Sequence, residues 1–265
     1  SQSLEGKTRL EKALRIYPMR LLYPWADGII AVSEGVADDL AAVTGIPRSK
    51  IKVLANPVIT PELHSMAAEE PTKEWFSRAE PPRIVAVGRL TRQKGFDVLL
   101  SAFAELLRHR RASLLILGEG PERQKLERQA ERLGLGDRVH LPGFDANPYA
   151  SMARADLFVL SSRFEGSPNA LKEALALGTP VVATDCRSGP AQILKDGRYG
   201  PLVPVDDPRA LAEAMERVLA SPPDRRDLPR AVSEYTLRAS ARAYLRELGL
   251  EPSASEDDQH TTDIR

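Results

Sequence analysis

The sequence predicts an α/β protein built on a doubly wound parallel sheet, and three observations lead there. Short runs rich in Val, Ile and Leu, without polar alternation, recur along the 265 residues, as in parallel strands covered on both faces. Each run gives way to a glycine or polar turn. An amphipathic helical pattern then follows, and the unit repeats.

Strands are predicted at 28–33, 51–55, 83–87, 113–117, 138–141, 157–160, 180–183 and 201–203. Between them Phe96, Leu99, Leu100, Phe103, Leu106 and Leu107 form one apolar helical stripe. Leu126, Ala130 and Leu133 form a second, and Leu211, Ala214, Met215, Val218 and Leu219 a third. Two segments break the rhythm. Residues 61–82 are polar and proline-bearing and read as a variable connection; residues 251–265 are acidic and read as a disordered tail. The stretch before Asn56 holds a basic helical piece at 7–25, one strand, one helix and a second short strand. It either joins the downstream sheet or ends a second domain, whose beginning is then expected to be missing from this chain.

The length allows about one and a half to two domains. Lys plus Arg and Asp plus Glu are equal at 37 each, which removes the chain-wide electrostatic case for a nucleic-acid binder. The single cysteine, Cys186, excludes an internal disulfide or a cysteine-rich zinc site and suits a reducing compartment. His64, His109, His140 and His260 show no metal-ligand spacing, so no metal site is expected. No apolar run approaches the ~18 residues of a membrane span.

Sheets of this kind bind ligands where strands end, so the turns after strands carry the chemistry. After residue 87, Gly88, Arg89 and Lys94 place a close-approach glycine and two cations beside one another, a setting for a diphosphate. After the strand at 157–160 come Glu165, Gly166, Ser167, Pro168 and Asn169, with Glu173 about one turn further on. Pro168 and Asn169 suit a helix opening. The amides of Asn169, Ala170 and Leu171 would then form an anion site at its positive end. Two flanking carboxylates suit paired sugar hydroxyls. Gly118 and Gly120 begin a dinucleotide fingerprint, but Arg123 stands where its third glycine belongs, so an NAD site is not expected. The turn at 184–190 lengthens the same edge, and Cys186, with no activating histidine beside it, reads as a bystander thiol.

Together VGRLTRQKG, LGEGPER and SSRFEGSPNALKEALALGTPVVAT resemble the retaining glycosyltransferases of the GT-B fold, family 4 (group 1). The Glu165-x7-Glu173 spacing matches that family's carboxylate motif, and the resemblance covers about residues 26–247. It implies two facing Rossmann-like domains, the C-terminal one binding a nucleotide-sugar and the N-terminal one the acceptor. Residues 1–56 would then end the N-terminal domain, 57–230 form the donor-binding domain, and 231–250 form a helix returning to the first. Arg89 and Lys94 would hold the diphosphate without a divalent metal or other cofactor. Glu165 would bind donor-sugar hydroxyls and Glu173 the ribose. The amides at 169–171 would contact phosphate; Pro168, which has no N–H, departs from the family's usual Gly–hydrophobic pair there. Gly143 and Phe144 would border the base, whether uridine, guanosine or adenosine, with UDP- and GDP-sugars as the expected donors.

The implied partners are the nucleotide-sugar and a glycan or lipid-linked acceptor, in polysaccharide or glycoconjugate synthesis. The expected setting is cytoplasmic. Peripheral contact of 7–25 with the cytoplasmic membrane face stays open against burial on the absent domain, since Pro18 and Pro24 interrupt that helix. A binding module without transfer and a sugar-nucleotide epimerase of the same fold stand as rival readings.

Overall fold

The computed structural model describes residues 9–71 and 75–250. The acidic tail expected at 251–265 lies outside the described residues. The first unit holds α1 (Arg9–Leu22), β1 (Ile29–Ala31), α2 (Glu34–Thr44) and β2 (Ile51–Val53). Strands β1 and β2 pair in parallel and form a sheet of their own. Ala31, Ala37, Ile46 and Ile51 make the small core between this pair and α2. Helix α2 starts where the Ser33 hydroxyl accepts from the Val36 amide at 3.3 Å and stops at Gly45, whose φ of +80° only glycine adopts cheaply.

Helix α1 runs through Pro18, contrary to the interruption expected there; only Pro24 falls outside it, in a 3-10 turn at Tyr23–Trp25. Proline forgoes one backbone bond, and docking on α2 offsets it, with Arg20 Nε donating to the Val43 carbonyl at 2.8 Å. Tyr17, Leu22 and Trp25 stand exposed along this edge.

The second unit carries six parallel strands: β3 (Arg83–Val87), β4 (Ser113–Leu117), β5 (Val139–Gly143), β6 (Leu157–Leu160), β7 (Val181–Thr184) and β8 (Leu202–Val203). Their order is β5-β4-β3-β6-β7-β8. Their residues alternate between two buried faces. Ile84, Ala86, Leu114 and Ile116 join the core under α5 (Phe96–Leu106), α6 (Arg123–Arg132) and α10 (Pro208–Ala220). Val85, Leu115, Leu117, Phe158 and Leu160 join the opposite core under α7 (Pro148–Arg154), α8 (Asn169–Ala176) and α9 (Pro190–Leu194). Burial on both faces explains the unbroken apolar runs.

Helix α10 opens on Asp207, whose carboxylate accepts from the Ala210 amide at 2.9 Å. Asp207→Ala is expected to cost about 1 kcal/mol, read as a lower urea midpoint with unchanged slope.

Two boundaries differ from expectation. The segment 61–82 is not a mere connection: it holds α3 (Pro61–Ala68) and the short α4 (Trp75–Arg78). Pro61 occupies a first-turn position, where its missing N–H costs nothing, and Leu63 and Ala67 are buried one turn apart. The expected helix from 231 begins later, as α11 (Leu237–Glu247), after a 3-10 stretch at Leu228–Tyr235. Thr236 separates the two and caps α11 by accepting from the Ala239 amide.

The chain passes between the units twice, side by side. The amides of Val58 and Ile59 both donate to the Tyr235 carbonyl, at 3.0 and 3.1 Å, and the Leu237 amide donates to the Ile59 carbonyl at 3.0 Å.

Candidate functional site

From β3 the chain steps outward to β4 and β5, then crosses back to lay β6 on the other side of β3. That reversal leaves a crevice beyond the carboxyl ends of β3 and β6. The turns that the sequence singled out, at 88–95 and 161–169, leave those two strand ends.

The turn after β3 is held to its neighbour: the Gly88 amide donates to the Leu117 carbonyl at 3.0 Å and the Leu90 amide to the Glu119 carbonyl at 2.8 Å. Leu90 is fully buried, whereas Arg89 points outward and is exposed. Among the described residues Arg89's guanidinium has no ion-pair partner. A 3-10 turn at Arg92–Lys94 then leads through Gly95 into α5. A Cβ on Gly88 would lie 3.2 Å from Lys94 Cε, so the glycine makes room for the lysine stem.

Lys94, by contrast, has an ion-pair partner. Its Nζ donates to Glu165 Oε1 at 2.6 Å, and Ser162 Oγ donates to the same oxygen at 2.6 Å. The two elements are locked further by Ser161 Oγ donating to the Lys94 carbonyl at 2.8 Å and Gln93 Nε2 donating to the Phe164 carbonyl at 3.0 Å. Arg163 grips Asp97 through two bonds of 2.8 Å and pairs with Asp206. Burial pushes the Asp97 carboxyl up, but the Arg163 hydrogen bonds outweigh it and hold the group below its ordinary value. Its contribution to stability is therefore present at neutral pH and lost as pH falls through that lowered value.

Helix α8 begins at Asn169 with Pro168 in the cap position, one residue earlier than an asparagine cap would give. No side chain caps this end, so the amides of Asn169, Ala170 and Leu171 keep their donors. The Leu171 side chain is buried in the core. Glu173 is half-buried, and burial raises its carboxyl above the ordinary range despite Tyr149 and Lys172 nearby. Tyr149 Oη stands 3.5 Å from its Oε1.

A cleft of about 500 Å³ opens here, lined by Arg89, Gln93, Phe164, Glu165, Gly166, Arg187 and Ser188 of the second unit and by Gly35, Val36 and Asp39 of the first. This size suits a small-molecule ligand. Ser33 spans it, its hydroxyl donating to the Gly166 carbonyl at 2.6 Å. A roomier groove of about 770 Å³ lies between α5 and α10, but no strand end or glycine-bearing turn feeds it.

Thus Arg89, Glu165 and Gly166 line one cleft, Lys94 is tied to it through Glu165, Gly88 lies against the Lys94 stem, and the start of α8 follows the same loop. Gly143 ends β5 at the same carboxyl edge of the sheet, two strands away from β3, where a Cβ would meet Glu119 at 2.6 Å. Phe144 beside it is exposed. Sequence reasoning missed Ser33, Ser162, Tyr149 and the Arg163–Asp97 brace. Only Ser33 left a signal, as a helix-capping serine before an apolar pattern. Cys186 is buried, and burial pushes its thiol up to about 11, which keeps it protonated. Among the described residues no helix is long and apolar enough to cross a membrane.

Comparison with known proteins gives matches to two glycosyltransferase families. The family described as "Glycosyl transferases group 1" matches residues 68–235, and "Glycosyltransferase Family 4" matches residues 2–62. The chain is 34% identical over 214 residues to the N-acetylgalactosamine-N,N'-diacetylbacillosaminyl-diphospho-undecaprenol 4-alpha-N-acetylgalactosaminyltransferase of Campylobacter jejuni subsp. jejuni, spanning 80% of this chain and 56% of that protein. It is 31% identical to the lipopolysaccharide core biosynthesis glycosyltransferase LpsE of Rhizobium meliloti, over 89% of this chain and 68% of that protein. Among solved structures, Anabaena Alr3699/HepE in complex with UDP and glucose superposes with a TM-score of 0.76 at 20% identity, over 92% of this chain and 68% of that one. That likeness speaks for the fold, the Rossmann-like architecture of GT-B glycosyltransferases. By its family match across most of the second unit and its kinship to LpsE, the chain belongs to the group 1 glycosyltransferases.

Proposed function

We propose that the chain carries the donor site of a retaining, metal-independent glycosyltransferase, which moves a sugar from a nucleoside-diphosphate donor to a glycan or lipid-linked acceptor. What supports this reading is that Arg89 and Glu165 line one cleft, that Lys94 pairs with Glu165, and that the uncapped start of α8 follows the Glu165 loop. Cations and helix-end amides suit a diphosphate, and acidic groups beside them suit hydroxyls. The names of the relatives, one acting on a diphospho-undecaprenol-linked glycan and one in lipopolysaccharide core synthesis, point to the same acceptor class.

In this reading Arg89 and Lys94 stabilise the charge that builds on the departing nucleoside diphosphate as the anomeric C–O bond breaks. The acceptor hydroxyl attacks the anomeric carbon from the face the diphosphate leaves, so configuration is retained. Glu165, fixed by Ser162 and Lys94, takes donor-sugar hydroxyls, and the amides of Asn169, Ala170 and Leu171 take phosphate oxygens. Glu173 takes the ribose, and Gly143 with Phe144 borders the base. The unit of β1, α2 and β2 supplies the acceptor-facing wall through Gly35, Val36 and Asp39. Residues 1–56 then belong to the acceptor side, 57–230 to the donor domain and 231–250 to the returning helix.

A thermal-shift screen of UDP-, GDP- and ADP-sugars tests the site and names the base. One nucleotide class is expected to raise the melting temperature in a concentration-dependent way. A flat response to all three would remove the donor site from this crevice.

A further inference from the structure

Lys172 precedes Glu173 on α8, and its side chain is completely buried. Its Nζ donates to Ser167 Oγ at 2.6 Å and lies 4.4 Å from the centroid of the Tyr235 ring. Ser167 belongs to the loop of Glu165 and Gly166. Tyr235 belongs to the paired passages between the two units, where its carbonyl takes the amides of Val58 and Ile59. The other charges near Lys172 are Glu173 on its own helix and Glu234 beside Tyr235, and neither forms an ion pair with it. Burial therefore pulls the ammonium down to about 8.

An ammonium kept in the interior with a hydroxyl and a ring for company is a poor stabiliser, because a methionine of similar length fills the space without desolvation cost. The sign follows from linkage. With the folded group titrating below the ordinary lysine range, the folded chain sheds this proton first. Stability from this site rises with pH above about 8, and below that the burial cost stands in full. A residue that weakens the fold at neutral pH yet bridges two functional segments fits a role in positioning.

Resting on the donor-site reading above, we propose that Lys172 is a positioning residue for donor binding: it ties Ser167 to Tyr235 and so fixes the Glu165 loop against the passages between the units. It touches no donor atom itself.

Calorimetric titration of the whole chain with UDP, GDP and ADP, each at pH 7 and pH 9, tests this on wild type, Lys172→Met and Ser167→Ala. Lys172→Met is expected to melt no lower than wild type at pH 7. It should bind the preferred nucleotide about tenfold more weakly, within the range a slightly displaced loop can cost. Raising the pH should weaken wild type more than Lys172→Met, since only wild type loses the charge. Ser167→Ala, which takes the hydroxyl from the buried ammonium and should therefore melt lower at pH 7, should weaken binding in the same direction and, in its folded form, decides the matter if Lys172→Met does not fold. Wild-type affinity in the folded variants overturns the proposal while leaving the donor site standing. Failure of wild type to bind any of the three nucleotides overturns the donor-site reading, and this inference with it.

Discussion

On the proposed reading, Arg89→Ala and Lys94→Ala are each expected to lower turnover at saturating donor by about 10²–10³, the usual cost of one preorganised charge-stabilising group. The two should part company in stability. Arg89 is exposed and has no ion-pair partner among the described residues, so its removal costs the fold little. Lys94 is bonded to Glu165, a carboxylate only 8% exposed. Without Lys94 that carboxylate keeps only the Ser162 hydroxyl, and a buried charge stripped of its partner is costly. Lys94→Ala should therefore melt lower, and adding Glu165→Gln should recover part of the loss without recovering turnover. Steady-state kinetics beside thermal melts checks both halves. Near-wild-type turnover in both single variants would take these residues out of the site.

Gly95→Ala is expected to cost more than an ordinary glycine substitution. Its φ is +63°, and a Cβ there would sit 2.1 Å from the Ser161 carbonyl oxygen. The left-handed conformation alone costs an L-residue about 1–2 kcal/mol. The clash must be relieved by moving the end of β6 or the turn carrying Lys94, and Ser161 Oγ bonded to the Lys94 carbonyl couples the two. Gly45→Ala makes the matched control, because its φ is +80° with nothing within 4 Å of the added carbon. Denaturant unfolding should show a loss of roughly 1–2 kcal/mol for the control and a clearly larger one for Gly95→Ala, which should also lose donor binding. Equal losses would show that the close approach of the two turns is unimportant.

Most of the second unit was legible because its strands are buried on both faces, so Arg83–Val87, Ser113–Leu117 and Leu157–Leu160 stand out as uninterrupted apolar runs. The same logic failed where proline dominates. Pro61 opens α3 at a first-turn position that suits proline, whereas Pro18 lies inside α1, where contacts with α2 outweigh local preference. The turns bearing Arg89, Lys94 and Glu165 were visible as breaks directly after strands. What no pattern shows is pairing across 71 residues, as between Lys94 and Glu165, or across 133, as between Ser33 and Gly166. Such contacts depend on the strand order, which sequence periodicity does not encode. For the same reason no periodicity marks Lys172, a charged residue on α8, as turning inward.

The two passages between the units are bonded flat against each other at Val58, Ile59, Tyr235 and Leu237. A double strap of that kind folds readily about one axis and resists torsion about the others. Any widening of the gap between Asp39 of the first unit and Arg89 of the second would therefore follow a single swing. Such a swing would have to break the bond of the Ser33 hydroxyl to the Gly166 carbonyl, while the proposed diphosphate site would ride on the six-stranded sheet alone.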